Sequence, residues 1–146
     1  MKYRKEKMSK EFTKHLLDFK GKLDPFHMVV HHFTDRDKGG PHCHPFRFTT
    51  YILKGGYTER VYQLTPTGDW QYADVFRAPG TTHVVEAECI HELVDLPQGE
   101  CWTVMIPEEK VREPRFWRFN QDGAFSRVWN KRKWVKQGLT KGEMLP

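Results

Sequence analysis

The chain has 146 residues, a formal net charge of +5 and a sequence pI of about 9.1, which fits one domain and excludes a second large core. Hydrophobic residues make up 38% and aromatic residues 14%, a modest but ring-rich apolar content that suits a compact β fold better than a helical bundle. No apolar run approaches a membrane span, no N-terminal stretch resembles a secretion signal, and the cysteine count is an odd 3, so a cytoplasmic protein with free thiols is expected.

In chain order, the first segment reads as helical. Met8, Phe12, Leu16 and Phe19 fall on one helical face, Ser9 is placed to cap and Gly21 to stop. Residues 1–21 are therefore predicted as an amphipathic helix, 22–130 as one β domain and 131–146 as a basic, solvated tail. Short strands follow: Phe26 to Phe33, then a polar loop from Asp35 to Pro41, then a long strand from His42 to Leu53 ending in a Gly55-Gly56 hairpin turn. Tyr57 to Leu64 returns. Trp70 to Tyr72 and Asp74 to Arg77 are short strands, Pro79-Gly80 turns the chain, His83 to Asp95 is long and alternating, and Cys101 to Ile106 is a further strand. The aromatic, basic stretch from Arg115 to Trp134 can add one or two more. Closely spaced strands without helical crossovers predict an all-β, antiparallel barrel or sandwich.

The chemistry concentrates at Pro41-His42-Cys43-His44. Residues two apart on a strand share a face, so His42 and His44 project together, close enough to hold one ion. The segment Ala78-Pro79-Gly80-Thr81-Thr82-His83 sets another histidine just after a tight turn. Neutral imidazoles suit zinc, iron, copper and nickel, and three of them leave other positions of an ion open to substrate.

His42-Cys43-His44 with Gly55-Gly56, followed by Pro79-Gly80-Thr81-Thr82-His83, resembles the two signature motifs of the cupin superfamily. The run through Ile52-Leu53-Lys54-Gly55-Gly56-Tyr57-Thr58-Glu59, with Glu100-Cys101-Trp102-Thr103 and the aromatic stretch around Phe116 to Trp129, is similar to small phage and bacterial cupins. The resemblance spans roughly Val29 to Trp129. It implies a single jelly-roll β-barrel and makes His42, His44 and His83 the ligands of one divalent metal ion, with Fe(II) foremost for catalysis and Zn, Ni or Mn as alternatives. It also implies a homodimer. The glutamate usual in the first motif is absent: Phe48 and Thr49 stand there, leaving a neutral three-histidine site like that of thiol dioxygenases.

Alternation sorts the neighbours. With His42 and His44 inward, Phe46, Phe48, Thr50 and Ile52 are inward too, and Cys43 points away. Tyr57, Glu59, Val61 and Gln63 then share the inner face, with Gln63 in reach of the metal's surroundings. Glu59 is too far along the strand to replace the missing carboxylate and needs a buried partner. His91, eight residues and roughly 26 Å along the strand from His83, reads as a hydrogen-bonded core histidine rather than a further ligand. Trp102, Val104 and Ile106 turn inward, giving a largely apolar, aromatic lumen. His32 is a candidate for support of the site.

These residues point first to a metal-dependent oxygenase acting on a small organic molecule. The alternative is a non-catalytic small-ligand or assembly module. Arg112, Arg115, Arg118 and Arg127, interleaved with Phe116, Trp117, Trp129 and Trp134, have a pattern suited to single-stranded nucleic acid. A surface of solvated charges over barrel-covering rings is the preferred reading of that region.

Overall fold

A computed structural model describes residues 2–18, 28–36 and 39–137, and these are all β structure and irregular segments. The strands are β1 (Lys2–Lys7), β2 (Phe12–Asp18), β3 (Met28–Phe33), β4 (Phe48–Lys54), β5 (Tyr57–Leu64), β6 (Trp70–Arg77), β7 (Thr82–Val85), β8 (Ile90–Asp95), β9 (Cys101–Pro107), β10 (Arg115–Asn120), β11 (Gly123–Val128) and β12 (Val135–Gln137). They form a six-stranded sheet in the order β1-β2-β3-β9-β4-β7, a three-stranded sheet β6-β5-β8 and a three-stranded sheet β10-β11-β12, with every pairing antiparallel. The ladders do not close into one barrel. The first two sheets pack face to face, joined by a core of Ile52, Tyr57, Leu93, Leu96 and Cys101. No helix among the described residues is long and apolar enough to cross a membrane.

The expected N-terminal helix is a β-hairpin. β1 and β2 pair along their whole length, and β2 continues the ladder onto β3. The reason lies in the spacing: Phe12 and Leu16 are four apart, a separation that both the helical and the strand period place on one face. The strand period sorts the segment better. Leu16 is buried against Val29, Phe48, Val85 and Met105, while Phe12 stacks on Phe33 at 4.3 Å. Ser9 sits in the turn and accepts from the Glu11 backbone N–H. Phe19 and Gly21 lie outside the described residues. At the other end, β12 pairs with β11, so the basic tail is ordered into a sheet through Gln137.

Two predicted long strands are broken. The His42–Leu53 strand is regular only from Phe48, with bends at 45–46. The His83–Asp95 strand divides into β7 and β8, with a turn closed by Cys89 N–H to Glu86 O at 3.0 Å. That division moves the chain from one sheet to the other, since β7 pairs with β4 and β8 with β5. The β6 segment, by contrast, is one strand rather than two.

The β4–β5 turn requires glycine. Gly55 has φ +86°, and a Cβ there would lie 1.9 Å from the Glu100 carbonyl oxygen, a backbone atom that cannot swing aside. We expect Gly55→Ala to cost about 2 kcal/mol or more of unfolding free energy in urea titration.

Candidate metal centre

His42 is tied by backbone to both neighbouring segments. It exchanges N–H···O bonds of 3.0 Å with His91 and forms a second isolated bridge to Phe116. His44 N–H donates to Ala87 O at 3.0 Å. The segment 42–44 is therefore laid beside the start of β8, and the side chains of His42, His44 and His91 converge. One ring nitrogen from each lies within 4.8 Å of the others. The ring centroids are 5.0 Å apart for His42–His44, 5.1 Å for His42–His91 and 5.0 Å for His44–His91.

Hydrogen bonds assign roles to the ring nitrogens. His91 Nδ1 is 2.9 Å from Glu59 Oε2, and its Nε2 is buried without a partner. Donation from Nδ1 to the carboxylate leaves the lone pair on Nε2, the tautomer a metal needs. His42 Nδ1 likewise donates to Gly40 O at 3.0 Å. His44 Nδ1 is buried and unpartnered, and burial, with the nearby His91, His42, His31 and Lys14, holds this imidazole well below its ordinary pKa. The buried, unpartnered nitrogens of His44 and His91, converging with the His42 ring, fit a divalent ion.

Glu59 is 2% exposed. Its Oε1 accepts from Arg77 Nη2 at 2.7 Å and Nε at 3.0 Å. Burial alone would raise its pKa, but the hydrogen bonds from His91 and Arg77 and the Arg77 charge act against that, and it is held at about 2.

The structure groups His91, not His83, with His42 and His44. His83 does face inward, opposite Thr50, and its Nε2 makes a long 3.5 Å contact to Tyr57 Oη while its Nδ1 is buried and unpartnered. Burial and the Arg77 charge lower its pKa to about 4, and burial raises that of Tyr57. The expected separation of His91 assumed an unbroken strand. The turn at 86–89 folds it back instead, which also brings Glu59 into the site.

Other expectations fare unevenly. Phe48 is buried with its ring edge-on to His44 at 4.9 Å, and Phe46 packs beside it. Gln63 lies on the predicted side of β5 but beyond the end of β8, exposed and bonded to Gln71 at 3.0 Å, so it does not approach the centre. β9 has the opposite phase to the predicted one. Cys101, Thr103 and Met105 are buried, whereas Trp102 lies on the outer face, stacked on His32 at 3.9 Å. His32 Nε2 bonds Glu100 at 2.9 Å there, so neither residue borders the centre. The inward neighbour is His31. The inner surface is mixed: Phe48 and Tyr57 are buried in it with Thr50, Glu59, His91 and Thr103.

In the C-terminal sheet, rings and guanidiniums meet one another. Arg118 lies 4.2 Å from the Trp134 centroid and Arg127 4.7 Å from that of Phe116, while Arg115 bonds Ser126. Trp117 is buried, and the Trp129 indole donates to Glu113. A cleft of about 480 Å³ opens where this sheet meets β5 and β6, lined by Pro41, Arg60, Tyr62, Trp70, Tyr72 and Glu92 among others, with Pro41 and Glu92 next in the chain to His42 and His91.

No family model and no curated protein matches the chain. Solved structures do. Hydroxypropylphosphonic acid epoxidase from S. wedmorenis aligns with a TM-score of 0.54 at 11% identity, over 73% of this chain and 56% of that one. FeII HppE aligns at 0.55 and 14% identity, over 73% and 57%. The cupin domain of Drosophila melanogaster CENP-C aligns at 0.53 and 7% identity, over 73% and 76%. The chain thus spans little more than half the length of the first of these proteins. The fold is a cupin fold.

Proposed function

We propose that this cupin fold holds one divalent metal ion on His42, His44 and His91 and acts as a metal-dependent oxygenase on a small organic molecule. The observation that carries the reading is the convergence of the three imidazoles, with a buried carboxylate behind one of them fixing its tautomer. A carboxylate–histidine pair of this kind raises ligand basicity and orients the ring. Three neutral ligands leave the ion's charge uncompensated and coordination positions open, and Fe(II) in such a site supplies redox chemistry toward dioxygen and a chelating organic substrate. Iron is the metal to try first because FeII HppE carries it on a similar fold; Zn, Ni and Mn are the alternatives. The residues around the centre do three things. Glu59 and Arg77 keep His91 aligned, Phe48 and Phe46 exclude water beside His44, and His83 with Tyr57 offers a neutral polar wall.

The test is elemental analysis of untagged protein. We expect close to one metal per chain after anaerobic Fe(II) loading, falling at least tenfold in His42→Ala and His91→Ala. Oxygen uptake with small thiols and hydroxy acids then tests the oxygenase. Metal-free wild type after loading with Fe(II), Zn(II), Ni(II) and Mn(II) would overturn the reading. The second reading, a non-catalytic binding module, is favoured by the aromatic cleft, whose lining includes none of the three histidines.

A further inference from the structure

The inward face of β2 carries Phe12, Lys14 and Leu16. The flanking residues are apolar and packed, so strand alternation calls for a third apolar side chain at position 14. A lysine stands there instead. It lies across from His31, which faces inward on β3 and whose Nε2 is buried without a partner. The Lys14 Nζ is 5.6 Å from the Phe12 centroid, and the Phe12 ring meets that of His31 edge-on at 5.0 Å.

Among the described residues, no ion pair or hydrogen bond reaches the Lys14 ammonium. Its cross-strand acid is Glu6, which is already paired with Arg4 at 2.7 Å. Burial lowers the pKa of Lys14, with only partial compensation from Glu6. Leu16, two residues along the same face, packs with Phe48, whose ring meets that of His44 edge-on at 4.9 Å. His31 gives Lys14 no compensation, being held neutral by burial at a pKa of about 3. Glu59, the buried acid of the centre, is committed to Arg77 and His91. A divalent ion on the three histidines would add further positive charge to this wall.

We infer that Lys14 is the anchor for a negatively charged substrate, a small carboxylate-bearing chelator that bridges the metal ion and the lysine. This inference rests on the metal reading above. The chemistry is that of a half-finished ion pair. An ammonium held beside a cationic centre without a counter-ion is unfavourable until an anion binds between them, and a ligand that supplies the anion gains both interactions. Lys14 acts by positioning the substrate, and His31 Nε2 is placed beside it for a further hydrogen bond.

The experiment uses full-length protein loaded with Co(II), whose visible absorption reports ligands entering the coordination sphere. Oxalate is the anionic probe and imidazole the neutral one, on wild type, Lys14→Met and Lys14→Arg. We expect equal cobalt stoichiometry in all three. Oxalate should bind Lys14→Met about tenfold or more weakly than wild type, and Lys14→Arg within about threefold. Imidazole should bind all three alike. Cobalt bound normally with oxalate affinity indifferent to Lys14→Met overturns the anchor and leaves the metal site standing. So does an equal loss of oxalate and imidazole binding, which would mark Lys14 as a packing residue. Failure of wild type to take up cobalt overturns the metal reading and the anchor together. Should Lys14→Met unfold, Lys14→Arg decides the case: a charge kept and oxalate binding lost contradicts the inference.

Discussion

Glu59→Gln is expected to destabilise the protein by about 3 kcal/mol at neutral pH and to weaken metal binding roughly tenfold to a hundredfold. The stability term follows from the carboxyl's pKa, about 2 in the fold against an ordinary 4.5. A depressed acid contributes stability that is present above its unfolded pKa and lost as pH falls toward its folded one. The wild type should therefore lose this contribution between about pH 4.5 and pH 2, and the glutamine variant should show a flatter acid limb. Urea unfolding at several pH values checks it. The metal term has a separate origin. Glutamine can still accept a hydrogen bond from His91, but it lacks the charge that makes Nε2 more basic and that answers Arg77. Parallel acid limbs in the two proteins would show that Glu59 is not held as an ion in the fold.

The second large effect concerns the N-terminal hairpin. Leu16 is 8% exposed and packs with Val29, Phe48, Val85 and Met105. We expect Leu16→Ala to cost about 2–4 kcal/mol by thermal or urea unfolding. Phe48 also contacts His44, so the same variant should loosen the centre and reduce metal affinity. A change below about 0.5 kcal/mol would mean that the hairpin is peripheral to the core.

Much of the fold was legible because strand and turn signals act locally. The Gly55-Gly56 turn, the whole of β5 and the bounds of β9 to within a residue follow from glycine placement and alternation. The N-terminal segment was not legible, because a four-residue spacing serves helix and strand alike. What decided it was cross-strand pairing with β3, a contact between segments that periodicity within one segment does not carry. The candidate site divides the same way. His42 and His44 are two apart in sequence and meet in space. Alternation sorts His91 to the interior but sets it far from them, because the turn at 86–89 contains no glycine or proline to signal that the strand breaks. With that break unseen, Glu59 also looked remote. Trp102 failed for another reason: an aromatic residue on a strand suits either face, and here it stacks on His32 outside. Lys14 gave a signal of its own, a charge on an otherwise apolar face, but only once the segment is read as a strand.

The most direct test of the account is which histidine completes the centre. Zn(II) titration by calorimetry on wild type, His83→Ala and His91→Ala, each shown to be folded by circular dichroism, compares the two. One zinc per chain is expected in wild type and in His83→Ala, with affinity in His83→Ala within about threefold, and a loss of about a hundredfold or more in His91→Ala. Zinc retained in His91→Ala and lost in His83→Ala would contradict that expectation, and would return the third ligand to the position that the motif alone suggests.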